Sequence, residues 1–390
     1  MIGAIIGDIV GSRWEFNPTN DYNFELFSDE NGFTDDTICT VAVADALLKG
    51  RDYGESIHEW CRRYPHPMGG YGGRFAQWVR SDNPQPYGSY GNGAAMRISP
   101  VGMWFEDREE LLEHAKKTAE CSHNHPEGIR GAQTVALAVY YVINLRNKIQ
   151  HQTSHMTDFE TFLTSFSGYN LNIRKENVIN RFDETCQGTV PIALWIICQS
   201  TSFEDAIRKA VSLGADADTL GAIVGSIAEH IWGIPEGLKR NVMKVLPEEM
   251  KQVVNQFYEH LKKRRITNFA NKYISFFENE YVRYGESYYH FFDNSMFPNE
   301  CWGFGFEMDC GRSFTDAYGE SAWKTQWLKE NIDNINDISI IGSGLFSKWR
   351  YFNHWAYEHA NEKDIEWFLT LFRRMKELIE KETGTLKKEI

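Results

Sequence analysis

Glycine stands at positions 3, 7 and 11 of the opening segment MIGAIIGDIVGSRWEF, once every four residues inside an apolar run. Residues four apart share one face of a helix, and a helical glycine gives up to ~1 kcal/mol relative to alanine. Three in register therefore predict a helix whose backbone is pressed close to something. A second helix, opening near Thr219, carries Gly221, Gly225 and Ala228, again spaced for close packing. On a continuous opening helix Asp8 and Glu15, seven apart, would project from a common side.

The rest of the first 260 residues reads as helical too, since apolar residues recur at three and four positions, as in Ile38, Val41, Ala42, Ala46 and Leu47. No alternation of strands and helices is evident. Two glycine-rich polar stretches, Met68 to Gly73 and Tyr87 to Ala95, must be loops. At 390 residues the chain is longer than one core supports. The basic run Lys262-Lys263-Arg264-Arg265 marks the division, giving an all-α domain over 1–262 and an appended domain over 266–390. Strand-like pieces at Trp302 to Met308 and Ile338 to Ile341, then a charged helical end from about Asp364, predict a small α+β unit there.

Several classes of function fall away on composition. A net charge of −13 disfavours a general nucleic-acid binder, although a local basic groove is compatible with it. Seven cysteines with no CxxC pair suggest neither a disulfide framework nor structural zinc, and fit a reducing cytoplasm. The longest apolar runs, such as Val190 to Cys198, are about half the ~20 residues that span a bilayer, so no membrane role is expected. The opening segment meets Asp8 too early, and lacks the basic lead, for a signal peptide. His123 and His125 have no further partners at zinc spacing, and Cys310 beside Asp309 has no matching histidine and reads as structural.

Two acidic clusters carry more. Thr34-Asp35-Asp36-Thr37 directly precedes a periodic helix, and Gly214-Ala215-Asp216-Ala217-Asp218-Thr219 sits at the mouth of another. Either alone is an ordinary N-cap. Together, about 180 residues apart, they offer carboxylates and hydroxyls of the hard-oxygen kind that Mg²⁺ takes. Asp216 and Asp218 alternate, so on an extended approach they would face the same way.

These segments resemble one family, the ADP-ribosylglycohydrolases of the type that activates dinitrogenase reductase. The resemblance rests on GDIVGSRWEF, FTDDT, GNGAAMRISPVG, SHNHPEGIRGA, DETCQGTVP and GADADT, in that order, and covers about residues 1–260. It implies an orthogonal all-α bundle with a binuclear site for two Mg²⁺ ions, for which Mn²⁺ can substitute. By motif position Thr34, Asp35, Asp36, Asp216, Asp218 and Thr219 would bind metal. Gly91, Asn92 and Gly93 would line the pyrophosphate or ribose path, and His123 the distal part of the cleft. Cleavage at the ribose anomeric carbon needs an activated water, and Asp36 and Glu15 are both candidate bases, with Asp35 beside them.

The expected reaction is Mg²⁺-dependent hydrolysis of the bond joining ADP-ribose to an acceptor on a protein or small molecule, with arginine first among acceptors. Some members carry an acid just ahead of the Gly-Asn motif, where this chain has Gly88-Ser89-Tyr90. Two alternatives stand beside this reading. One is a non-catalytic ADP-ribose binder, the other a metal-dependent hydrolase of another ADP-ribosyl or phosphate-ester substrate.

Overall fold

The computed structural model describes residues 1–149 and 154–261, with Arg264, 329–336, Ile341 and parts of 366–381. The chain divides into two compact units, Met1–Leu261 and Lys262–Ile390.

The first unit is helical throughout, as the periodicity predicts, and no strand occurs among the described residues. Its elements are α1 (Ile2–Gly11), a 3₁₀ turn (Ser12–Trp14), α2 (Asp35–Lys49), α3 (Tyr53–Arg63), α4 (Gly73–Arg80), α5 (Gly93–Met96) and α6 (Ser99–Trp104). There follow α7 (Arg108–Glu120), α8 (Pro126–Ile149), α9 (Ser154–Ser167), α10 (Cys186–Cys198), α11 (Phe203–Val211), α12 (Ala217–Trp232) and α13 (Glu236–Val245). A last helix covers 248–261.

The opening helix is pressed against α12. All ten residues of α1 are buried, and its three glycines face Gly225, Gly221 and Ala217 in turn, so the two helices run antiparallel. A methyl group on Gly3 would come within 2.9 Å of the Gly225 carbonyl carbon, and one on Gly11 within 2.6 Å of Asp218 Cα. Ordinary contact begins near 3.4 Å, so only glycine admits this approach. Gly3 N donates to Glu229 Oε2 at 2.6 Å and fixes the far end of the pair. Around α1 and α12 lie α2, α8, α10 and α11, which enclose one continuous apolar core.

The opening helix is not continuous as far as Glu15. It tightens to 3₁₀ geometry after Gly11, because the Ser12 hydroxyl turns back onto Ile9 O at 2.9 Å.

In the second unit the described positions are helical, apart from short connections. The strand-like piece Trp302 to Met308 lies outside the described residues, as does Cys310. Of Ile338 to Ile341 only Ile341 is described, and it is helical.

Candidate functional site

Both acidic clusters sit on helix N-termini, where unpaired amides and the helix dipole favour negative charge. Thr34 caps α2 in the ordinary way, its hydroxyl accepting from Asp36 N at 3.2 Å. Asp216 occupies the cap position of α12 but makes no capping bond. Its Oδ2 accepts instead from Asn92 Nδ2 at 2.6 Å. The backbone here is not extended, and Asp218 lies in the first turn of α12, yet both aspartates face the same cavity.

That cavity, about 410 Å³, is where the sequence candidates meet. Glu15, Asp35 and Asp36 line one side, Asp216, Asp218 and Thr219 another, and Gly91, Asn92, Gly93 and His123 a third. Thr34 does not line it; its hydroxyl is engaged behind the wall, donating to Asp8 Oδ1 at 2.8 Å. The two clusters touch where Thr219 Oγ1 donates to Asp36 Oδ2 at 3.3 Å. Oxygens of Glu15, Asp216 and Asp218 lie within 4.8 Å of one another.

Asp8 has a different job from the one its spacing suggests. Its oxygens accept from Thr34 N and Thr37 N, each at 3.1 Å, and from both threonine hydroxyls. A carboxylate so saturated is a strut joining α1 to the mouth of α2, with no oxygen free for a ligand.

Crowding of carboxylates in a poorly solvated pocket sets their electrostatics. Burial pushes Glu15 up to about 8, with the charges of Asp216 and Asp35 adding to it. Burial and then the charge of Asp8 push Asp35 up to about 7. Asp36 and Asp218 are driven well above the usual carboxylate range, burial again leading. Two oxygens lining the cavity, Glu15 Oε2 and Asp36 Oδ1, have no hydrogen-bond partner among the described residues. Unpaired buried carboxylate oxygens from several chain segments, converging with a threonine hydroxyl, fit a hard divalent cation.

The glycine-rich stretches are walls of this cavity. At Gly69, φ is +76° and a methyl group would collide with the Glu15 carboxylate, so the loop lies directly over that side chain. The Gly91–Gly93 turn is held by Asn92 N donating to Glu184 O at 2.7 Å and Cys186 N donating to Tyr90 O at 2.9 Å. A methyl group on Gly93 would sit 3.0 Å from His123 Nε2. The two histidines part company here: His123 is buried at the cavity, while His125 Nδ1 accepts from Glu127 N at 3.1 Å at the start of α8.

Four further lining residues take no role from the sequence alone, although Phe16, Arg97 and Glu184 lie within the motifs that carry the family resemblance. Arg97 is wholly buried beneath the glycine turn. Glu184 is exposed and arrives with the segment that pairs with Gly91. Phe16 and Phe182, 70% and 45% exposed, lean on each other with ring centres 6.2 Å apart at the cavity edge. Exposed aromatic rings beside a binding cavity are a departure that only the folded chain reveals.

Comparisons with known proteins agree with this geometry. The family model described as ADP-ribosylglycohydrolase matches residues 1–267. Mouse ADP-ribosylhydrolase ARH3 is 23% identical, over 66% of this chain and 87% of its own. ADP-ribosylarginine hydrolase Tri1 of Serratia proteamaculans (strain 568) is 23% identical over 64% of this chain and 75% of its own. Its counterpart in Pseudomonas putida (strain GB-1) is 25% identical over 60% and 70%. Among solved structures, an ADP-ribosylglycohydrolase-related protein complex superposes with a TM-score of 0.50 and 23% identity, covering 66% of this chain and 96% of its own. That last likeness bears on fold alone.

Proposed function

The chain belongs to the ADP-ribosylglycohydrolase family, hydrolases of ADP-ribosyl glycosidic bonds, and from that premise we propose that it releases ADP-ribose from an arginine side chain in a Mg²⁺-dependent reaction. The observation that carries the reading is the meeting of the two acidic helix mouths in one cavity, beside the glycine turn and His123.

Each group then has a role. Asp35, Asp36, Asp216, Asp218 and Thr219 hold two Mg²⁺ ions, with Thr34 setting the approach of Asp36 from behind. When bound, the metal supplies positive charge to the ribose hydroxyls and the attacking water. Glu15 is the base. It is half-buried at the cavity, whereas Asp36 is 2% exposed with its Oδ2 already accepting from the Thr34 and Thr219 hydroxyls. The dry pocket strengthens every charge interaction with the oxocarbenium-like centre that forms on the ribose. Gly91 and Gly93 offer backbone with no side chain, which lets a diphosphate approach closely, and Asn92 is spent on orienting Asp216.

Arginine is favoured by the edge of the cavity. A guanidinium is planar and stacks on aromatic faces while pairing with a carboxylate. Phe16 and Phe182 supply the faces and exposed Glu184 the charge. Glu184 thus stands in for the acid that Gly88-Ser89-Tyr90 lacks.

The deciding experiment incubates the protein, with and without Mg²⁺, with an arginine-ADP-ribosylated protein and measures released ADP-ribose, alongside Asp35→Ala/Asp36→Ala. Release that requires metal and both aspartates supports the reading. Calorimetric binding of ADP-ribose without release points to another linkage or to a binding role, and absence of both rejects it.

A further inference from the structure

Arg97 is an unusual residue to bury. It is 0% exposed, and among the described residues its Nε and Nη1 have no hydrogen-bond partner, while Nη2 reaches neutral groups, Thr118 O at 2.7 Å, Ser122 Oγ at 3.0 Å and Cys121 Sγ at 3.7 Å. A guanidinium held this way contributes little to stability and costs much in lost hydration. Its one side-chain hydroxyl partner, Ser122, lies 2.8 Å from His123 Nδ1. Among the described residues His123 Nε2 has no hydrogen-bond partner, and it faces the Gly91–Gly93 turn at the cavity.

Donor and acceptor bookkeeping along this row has one good solution. Arginine can only donate, so Ser122 Oγ accepts from Arg97. The serine proton must then go elsewhere, and the candidates are His123 Nδ1 at 2.8 Å and Cys121 Sγ at 3.8 Å. Sulfur is a weak acceptor at long range, and Cys121 Sγ itself donates to Thr118 O at 3.3 Å. The serine therefore donates to Nδ1, which must be the unprotonated ring nitrogen.

We propose that Arg97 and Ser122 are positioning residues that fix His123 in the tautomer protonated at Nε2, so that it always presents an N–H donor to an anionic phosphate oxygen of the ADP-ribosyl group. Burial, then the Arg97 charge, keeps the imidazole neutral, driving its pKa well below the usual value. Arg97 thus reaches the ligand only through Ser122 and His123. The tautomer stands on geometry alone, while the identity of the acceptor rests on the function proposed above.

Two measurements test it. A long-range ¹H–¹⁵N spectrum of the full chain at neutral pH, with His123 assigned by the signals missing from His123→Gln, should show Nδ1 unprotonated and Nε2 protonated. Calorimetry with ADP-ribose then gives a double-variant cycle. A glutamine amide puts an N–H near the Nε2 position without help from Ser122. Ser122→Ala should therefore weaken binding about tenfold in the native background, the scale of a hydrogen bond to a charged group, and less than about twofold beside His123→Gln. A proton on Nδ1, or an equal loss in both backgrounds, overturns the proposal. If Ser122→Ala does not fold, the native spectrum decides. A protein with the Nε2–H signature that binds no ADP-ribose retains the tautomer relay and sinks the functional reading instead.

Discussion

Replacing Gly7 by alanine tests whether backbone contact between α1 and α12 builds the site. On an exposed helix this change would stabilise by up to ~1 kcal/mol. Here the new methyl group would overlap the Gly221 carbonyl and lie 2.7 Å from Ala222 N. Both obstacles are main chain inside a helix and cannot rotate away, so α1 must retreat by about 1.5 Å for the methyl group to clear the Gly221 carbonyl oxygen. Overpacking of a rigid contact costs about 3 kcal/mol, which lowers the melting temperature by about 6–12 °C for a domain of this size. The same retreat moves Glu15, just beyond the end of α1, relative to Asp216 and Asp218 at the mouth of α12. Misplacements approaching ~1 Å cost on the order of 100-fold in rate. Differential scanning calorimetry and ADP-ribose release would be compared with Gly237→Ala, a helical position where an added methyl group meets nothing within 4 Å. If Gly7→Ala melts within about 1 °C of that control and keeps its rate, the argument is wrong.

Other outcomes follow from the site. Mg²⁺ at about 100 times its dissociation constant should stabilise the protein by roughly 2.7 kcal/mol, seen as a higher melting temperature that EDTA removes. Asp36→Asn should abolish that increment and raise the melting temperature of the metal-free protein, because a buried carboxylate without a partner for Oδ1 is lost; a metal-free form that melts lower would contradict the crowding argument. Glu15→Gln should lower kcat by about 10²–10⁴ with little change in KM, whereas a pure KM effect in steady-state assays would remove Glu15 from the base role. Phe182→Ala should raise KM for an arginine-linked substrate several-fold and leave calorimetric ADP-ribose affinity alone, which a role in the nucleotide end of the cavity would not.

What the sequence discloses is uneven for physical reasons. Glycine spacing carries the close helix contact because a steric requirement leaves a compositional trace. The two acidic clusters are visible because each is contiguous. Asp8 misleads, since its sevenfold spacing from Glu15 assumes a helix that the Ser12 hydroxyl in fact tightens, and its true partners, Thr34 and Thr37, lie in another element. Asp216 looks like a cap, and only the bond from Asn92, 124 positions away, shows that it is not. Glu184 and Phe182 reach the cavity with the segment that the Gly91–Thr185 bridge holds, a pairing that no local pattern announces.

The antiparallel contact of α1 with α12 also sets a schedule for synthesis. About 200 residues separate the end of one helix from the start of the other, so at roughly 5–20 residues per second the ribosome needs on the order of 10–40 s to deliver the partner. Throughout that interval the glycine-notched face of α1, its intrinsic helicity weakened by those glycines, can meet α2 but lacks its α12 partner. Nascent chains of this protein are therefore most exposed to aggregation before α12 emerges, and yield in recombinant expression should respond more to holdase chaperones and slower, cooler translation than to anything done to the finished molecule.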